Sequence, residues 1–164
     1  MKFATRMMVL VMVLSFAGFA FAVDLADDGK VDVFIPLTVV ETTELDFGAV
    51  NDSDGSVTLN LLDAISVDAS AIHAGGTTTS GVYTFSGTAN QTIDIALAAN
   101  NANGLNLTNF TTDLGGGTFP VVGTSLDGAG DLACTIGADL TVVATTAATG
   151  ANQSLNFTFT VTYN

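Results

Sequence analysis

The chain has 164 residues and carries 16 acidic residues against three basic ones, for a formal net charge of −13 at pH 7. This length suits a single domain, and the shortage of Lys and Arg excludes nucleic-acid binding by phosphate neutralisation. Cys134 is the only cysteine, so an intramolecular disulfide is excluded as well.

The N-terminus has the pattern of a secretory signal peptide. Lys2 and Arg6 precede an apolar run, and residues 20–22 read Ala-Phe-Ala, a small-x-small cleavage site. Cleavage after Ala22 leaves Lys30 as the only base against 16 acidic residues, a net charge of −15. Because the apolar run is short for a membrane anchor, the sequence predicts a secreted protein that is free of the membrane once residues 1–22 are removed.

Residues 23–40 contain the first predicted strand. Its apolar residues alternate along one face: Val31, Val33, Ile35, Leu37 and Val39. Pro36 interrupts this run and lacks an N–H, so we expect an edge strand or a bulged strand. A flexible acidic lead precedes the strand, which could therefore close its own sandwich or be donated to a neighbouring subunit. Composition alone favours the first alternative.

The rest of the chain, residues 41–164, alternates short apolar runs with loops rich in Gly, Asn and Asp. About nine or ten strands are indicated in this way, and no long stretch shows the period of a helix. The predicted fold is one all-β domain, an Ig-like antiparallel β-sandwich, with a barrel as the alternative.

The chain ends on the most regular of these strands, LNFTFTVTYN. Its apolar residues share one face: Leu155, Phe157, Phe159, Val161 and Tyr163. A stripe of this kind must lie on a core, and the strand needs backbone partners if its end is not to fray.

Catalysis receives little support from the sequence. His73 is the only histidine and lies in a Gly-rich loop. Cys134 alternates with Leu132 and Ile136, so we predict that it is buried and inert. These patterns indicate a protein that is not an enzyme and has no cofactor.

Two acidic loops are the only candidates for metal binding. Asp52 and Asp54 lie in NDSDGS, and Asp127 and Asp131 lie in SLDGAGD. Carboxylate oxygens at alternate loop positions can bind Ca²⁺. Turn capping by Asp explains both loops better, and we predict no metal site.

Two motifs carry a resemblance to an uncharacterised family of exported bacterial domains. LDFG at residues 45–48 follows the first strand, and VTYN ends the chain. YTFSGTANQTIDIALA, residues 83–98, and IGADLTVVATTAATG, residues 136–150, resemble further parts of that family. The family is similar to spore-coat-U-type domains and to pilins of the archaic chaperone–usher pathway.

The pilin resemblance assigns roles to particular residues. Residues 29–39 resemble a donor segment, Tyr163 matches the penultimate Tyr of pilins, and Gly150 matches their Gly upstream of the last strand. Pilins commonly have a Cys shortly after the donor segment, and here that region reads VVETTELDF.

The resemblance implies a structural subunit of an extracellular fibre or cell-surface assembly that polymerises by donor-strand exchange. The donor would be the alternating stripe of residues 31–39, and the acceptor edge would be the apolar face of residues 155–163. A periplasmic chaperone and an outer-membrane usher are implied as partners. The alternative is a self-complemented monomer whose N-terminal strand pairs with its own last strand, acting as a surface adhesion or binding module.

Overall fold

The computed structural model describes residues 31–150 and 153–164, and the predicted signal peptide lies outside them. The chain divides into two units, Met1–Val33 and Phe34–Asn164. Of the first unit only residues 31–33 are described, and they have no regular secondary structure. Within the described residues, no helix is long and apolar enough to cross a membrane.

The second unit is built from strands alone in its described part. In chain order they are β1 (Thr38–Thr43), β2 (Ala49–Val50), β3 (Gly55–Leu59), β4 (Ile65–Ala69), β5 (His73–Gly75), β6 (Gly81–Ser86), β7 (Thr92–Ala99), β8 (Leu105–Thr112), β9 (Val121–Ser125), β10 (Asp131–Val142) and β11 (Phe157–Tyr163).

These strands form two main sheets and a short ribbon. The larger sheet has the order β1-β6-β10-β3-β4, with β8 also paired to β10, and the smaller sheet has the order β11-β7-β9. β2 and β5 form the ribbon. All these pairs are antiparallel. The predicted all-β antiparallel sandwich is therefore confirmed.

The core lies between the two sheets and follows the alternation of each strand. β6 buries Tyr83 and Phe85, β7 buries Ile93 and Ile95, and β10 contributes Ile136. Each fully buried side chain of this size stabilises the fold by about 1.5–3 kcal/mol. The repeated contribution from facing strands explains how a chain without an intramolecular disulfide can hold its fold.

β10 is longer than the sequence indicated, because ACTIG and DLTVVA belong to one strand. Gly137 between them does not make a turn. It lies at an irregularity of the β10–β8 ladder, between Gly137 and Asp139, where a side chain would collide with the backbone carbonyl of Leu59 and approach Asn60 within 3.2 Å. A glycine inside a strand often marks such a close approach.

The first strand also lies further along the chain than the apolar alternation predicted. β1 begins at Thr38 and pairs with β6, with Val39 opposite Phe85 and Glu41 opposite Tyr83. Residues 31–37 have no strand assignment. Pro36 has no N–H to contribute to a ladder, which explains why pairing begins after it.

Candidate functional site

The last strand is paired on one side only. β11 pairs with β7 along its whole length, from Phe157 opposite Ala99 to Tyr163 opposite Ile93. Among the described residues no strand pairs with the other side of β11, which leaves it at the edge of the smaller sheet. The outer backbone groups of an edge strand are a template for an added strand.

The two faces of β11 differ as the sequence predicted. Its threonines point outward and are exposed, whereas Phe157, Phe159, Val161 and Tyr163 are partly buried and pack against the core. Phe159 contacts Tyr83 with ring centroids 4.8 Å apart. The predicted apolar stripe therefore faces the larger sheet, and its members are partly rather than fully buried.

A groove of about 940 Å³ lies beside the first half of β11. We call it the β11 groove. Its apolar lining comes from both sheets and from the segment that leads into β11, and includes Tyr83, Leu140, Val142, Leu155, Phe157 and Phe159. An apolar groove next to an unpaired strand edge offers an extended peptide both backbone partners and side-chain pockets.

The LDFG motif forms one wall of the β11 groove. Leu45 and Phe47 are buried in the core, and Asp46 exchanges backbone hydrogen bonds with Thr79 at 2.9 Å. Asp46 Oδ1 also accepts a hydrogen bond from the Gly48 amide at 2.8 Å. Gly48 has a φ of 70°, a conformation that favours glycine. The motif is thus a structural turn that fixes the wall.

The rim of the β11 groove is acidic. Glu41, Glu44, Asp46 and Asp52 all line it. The Tyr83 hydroxyl donates a hydrogen bond to Glu41 Oε1 at 2.9 Å. Burial, followed by this contact with Glu41, raises the pKa of Tyr83 above its usual range. Tyr83 therefore stays protonated at physiological pH and acts as a donor.

The opposite end of β11, at Tyr163, is covered by residues 34–37 of the same chain. The Phe34 ring stacks on the Tyr163 ring with centroids 4.8 Å apart. The Tyr163 hydroxyl donates to the Ile35 carbonyl at 2.5 Å, and Leu37 packs against the core. The terminal strand is thus partly covered at one end and borders an open groove at the other.

The five predicted donor residues occupy different environments. Val31, Val33 and Ile35 are 79%, 81% and 61% exposed, respectively. Leu37 packs against the core, and Val39 lies in β1 opposite Phe85. Within this chain the structure brings Ile35 to Tyr163, at one end of the predicted acceptor edge, and places Val39 in the other sheet. Sequence reasoning missed the β1–β6 pairing, although the polar run after Val40 suits an edge strand.

His73 and Cys134 do not form a catalytic pair. His73 lies in β5 opposite Val50, and its Nε2 is buried without a hydrogen-bond partner in the described part of the chain. Cys134 is fully buried, as predicted, and its sulfur lies 3.2 Å from Thr112 Oγ1. Burial raises the pKa of the Cys134 thiol to about 11, so the thiolate needed for nucleophilic attack is scarce at neutral pH.

The acidic loop SLDGAGD is a hydrogen-bonded turn. Asp127 Oδ1 accepts from the amides of Ala129 and Asp131, both at 2.8 Å. These backbone hydrogen bonds, that of Asp131 first, lower the pKa of Asp127. In the other loop, Asp54 Oδ1 accepts from the Ala144 amide at 2.8 Å. Over residues 31–150 and 153–164, no three His, Cys, Asp or Glu side chains cluster as metal ligands.

The fold and the groove together define, over the described residues, an all-β sandwich in which the outer edge of β11 has no partner strand. Residues 37–163 match the family described as a domain of unknown function (DUF4402), and the chain belongs to that family. No curated protein and no solved structure shows significant similarity to the chain. The family match spans the β11 groove and begins after the exposed residues Val31, Val33 and Ile35.

Proposed function

We propose that the protein is a structural subunit of an extracellular fibre or cell-surface assembly, and that it polymerises by donor-strand exchange. The observation that carries the proposal is the outer edge of β11, which has no partner strand among the described residues and lies beside a groove of about 940 Å³. The N-terminal residues Val31, Val33 and Ile35 supply the matching donor, since they alternate and remain exposed in the single chain.

The occupant we propose is the N-terminal segment of a second copy. Its alternating apolar side chains suit the apolar lining of the groove, and its backbone would pair with the outer side of β11. A donor at one end and an acceptor at the other give a head-to-tail contact that does not close on itself, so it produces fibres. The role in the assembly is structural rather than enzymatic.

The exposed residues alone would form a weak contact. Burying Val31, Val33 and Ile35 contributes about 5–9 kcal/mol, and ordering the five residues 31–35 costs about 5–10 kcal/mol. Backbone hydrogen bonds add about 0.5–1.5 kcal/mol each. A long-lived contact therefore needs more of the predicted stripe, and Leu37 is the next apolar member.

Secretion through the predicted signal peptide would bring the subunit to the periplasm and then to the cell surface. A periplasmic chaperone would cover the β11 groove until a donor arrives, and an outer-membrane usher would order the exchange. These partners belong to the proposal through the pilin resemblance. The charge of −15 in the mature chain would oppose lateral association of subunits, so that a directed strand contact controls assembly.

The proposal is tested with one donor variant and one acceptor variant of the mature chain. Val33→Asp places a charge in the donor stripe, where the native side chain is 81% exposed, and Leu155→Asp places one in the groove lining. We expect that neither variant forms fibres alone by electron microscopy. Mixed together, they should give dimers, because one variant retains its acceptor and the other retains its donor.

Val122→Asp is the matched control, since Val122 is 68% exposed and lies in β9, away from the groove lining. It should assemble like the unmodified chain. If Val33→Asp and Leu155→Asp each form fibres at the wild-type rate, donor-strand exchange through this groove is wrong.

A monomeric surface binding module is the second candidate, and the cover over Tyr163 by the chain's own residues 34–37 favours it. The β11 groove would then hold a ligand, and its volume is within the about 300–1,000 Å³ of ligand pockets. Size-exclusion chromatography with light scattering separates the two candidates. A monomer at all concentrations would support the binding module.

A further inference from the structure

Tyr163 lies at the junction between the last strand and residues 34–37. Its hydroxyl accepts a hydrogen bond from the Thr88 amide at 2.7 Å and donates one to the Ile35 carbonyl at 2.5 Å. Its ring stacks on Phe34 at an interplanar angle of 27°. One side chain therefore contacts the loop after β6 and the entry of the N-terminal segment.

Thr88 completes the contact from the other side. Its Oγ1 accepts a hydrogen bond from the Ile35 amide at 2.6 Å. Both backbone polar groups of Ile35 are thus held, the amide by Thr88 and the carbonyl by Tyr163. We call the contacts among Phe34, Ile35, Thr88 and Tyr163 the Tyr163 latch.

Gly87 makes room for this arrangement. A side chain there would collide with the Tyr163 hydroxyl, and its Cβ would lie 2.8 Å from Leu37 Cδ2. Leu37 therefore lies next to the latch, because its side chain and the Tyr163 hydroxyl both pack into the space that Gly87 leaves open.

We propose that the Tyr163 latch is an autoinhibitory contact that controls when the donor segment becomes available. When the latch is closed, Ile35 and Leu37 are held by their own domain, and the free part of the donor stripe is too short for a stable contact. When it opens, the donor extends to Leu37 and the Tyr163 end of β11 is uncovered. This inference rests on the proposed donor-strand exchange.

In this proposal Tyr163 is a positioning residue with two opposed roles. In the closed subunit it holds the chain's own segment, and in the assembly it belongs to the acceptor edge. Thr88 is not among the predicted acceptor residues, so a change at Thr88 affects the latch alone. This separation allows the latch and the acceptor edge to be tested independently.

The experiment compares Tyr163→Phe and Thr88→Val in the mature chain. The first removes the hydroxyl and both of its hydrogen bonds, and the second removes the oxygen that holds the Ile35 amide. Thr160→Val, on the exposed face of β11, is the control. Chymotrypsin cleavage after Phe34 in dilute monomer, followed by mass spectrometry, reports opening of the latch. Light scattering at higher concentration reports the rate of assembly.

We expect Thr88→Val, which loses one hydrogen bond, to be cleaved after Phe34 about fivefold faster than the unmodified chain. Tyr163→Phe loses two hydrogen bonds and should be cleaved faster still. Both variants should also assemble faster. The control should match the unmodified chain in both measurements. Should Tyr163→Phe fail to fold, Thr88→Val decides alone. If the two variants assemble at different rates, the rate of Thr88→Val decides whether the latch controls assembly, because Thr88 is not a predicted acceptor residue.

Two negative results have different meanings. If the unmodified chain forms fibres but Thr88→Val neither opens nor assembles faster, the latch proposal is overturned and donor-strand exchange stands. If no protein in the series forms fibres, donor-strand exchange is overturned, and control of assembly by the latch falls with it.

Discussion

Tyr83 of β6 and Phe159 of β11 pack ring against ring with centroids 4.8 Å apart, and this pair joins the two sheets beside the β11 groove. Phe159 also meets Phe85 edge-on at 5.3 Å and Phe157 at 5.9 Å. Aromatic pairs in such geometries contribute about 0.5–1.5 kcal/mol beyond the burial of their area. The β11 edge, which is the predicted acceptor, is therefore held in place by an aromatic cluster.

Replacing Phe159 with Ala should destabilise the sandwich strongly. Truncation of a buried Phe costs about 3–5 kcal/mol, and the loss here should fall in the lower part of that range, because Phe159 is only partly buried. Urea unfolding followed by fluorescence or circular dichroism measures the change. Thr160→Ala on the exposed face should shift stability by about 0.5 kcal/mol or less, and an equal loss in both variants would contradict the assignment of Phe159 to the core.

Gly87→Ala should also destabilise the fold, because a Cβ at this position meets Tyr163 and Leu37. Overpacking of this kind costs about 1–3 kcal/mol. Gly115→Ala is the matched control, since a Cβ there meets nothing within 4 Å. Thermal unfolding should show a lower midpoint for the first variant and an unchanged or slightly higher midpoint for the second. Equal midpoints would show that residues 34–37 do not pack as described.

Asp63 should contribute to acid sensitivity. Its Oδ1 accepts hydrogen bonds from both the hydroxyl and the amide of Ser80, each at 2.6 Å, and these bonds, that of the hydroxyl first, lower the pKa of Asp63 below its ordinary value of 3.8. Because the folded-state pKa is depressed, the stabilisation is fully present above pH 3.8 and is lost as pH falls through the folded value.

Asp63→Asn keeps an oxygen that can accept from Ser80 but cannot titrate. Its free energy of unfolding should therefore fall less steeply than that of the unmodified chain as the pH drops below about 4. Urea titrations at a series of acidic pH values measure the slope. Parallel curves for the two proteins would show that Asp63 has the same proton affinity in the folded and unfolded chains.

Cys134 should be unreactive in the folded protein. It is fully buried, and burial raises its pKa to about 11, so both access and thiolate are lacking. A colourimetric thiol reagent at pH 8 should modify it only after urea is added. Rapid modification without denaturant would mean that the β10–β8 region opens in the native state.

Sequence patterns predicted the fold class because alternation is a local signal. Phe157 and Phe159 face inward and Thr158 and Thr160 face outward, as period-2 alternation requires. The same reasoning placed Cys134 inside. Both predictions concern only the side of a strand on which a residue lies. In a sandwich one side of each strand faces the core, so alternation alone is enough to predict burial.

Strand limits and partners were less predictable because they depend on contacts distant in sequence. Val31 and Val33 alternate as regularly as any strand, yet the ladder begins at Thr38, where β6 supplies a partner. β4 carries the polar residues Ser66 and Asp68, and it is a strand because β3 pairs with it. Gly137 lies within β10, where the absence of a side chain allows the backbone of Leu59 to approach closely.

At the candidate site, too, the features set by local alternation were predicted and those set by distant contacts were not. The apolar face of β11 was predicted residue by residue, and that face follows from the strand alone. The pilin resemblance implied a groove beside the last strand, but its lining could not be predicted, because β11, the LDFG turn and residues 147–150 come together only in the folded chain. The Tyr163 latch was missed as well, since it joins Ile35 to a residue 128 positions away along the chain.

The first and last of the described strands belong to different sheets, and this arrangement would determine how a fibre of such subunits carries mechanical load. Tension would enter through β1, which belongs to the larger sheet, and leave through β11, which belongs to the smaller one. Of the described strands, β10 alone pairs with three others, β3, β6 and β8. A pulling force would thus act on the aromatic contacts between the two sheets, such as Tyr83 with Phe159. Within the larger sheet, the three ladders of β10 would distribute that force over β3, β6 and β8.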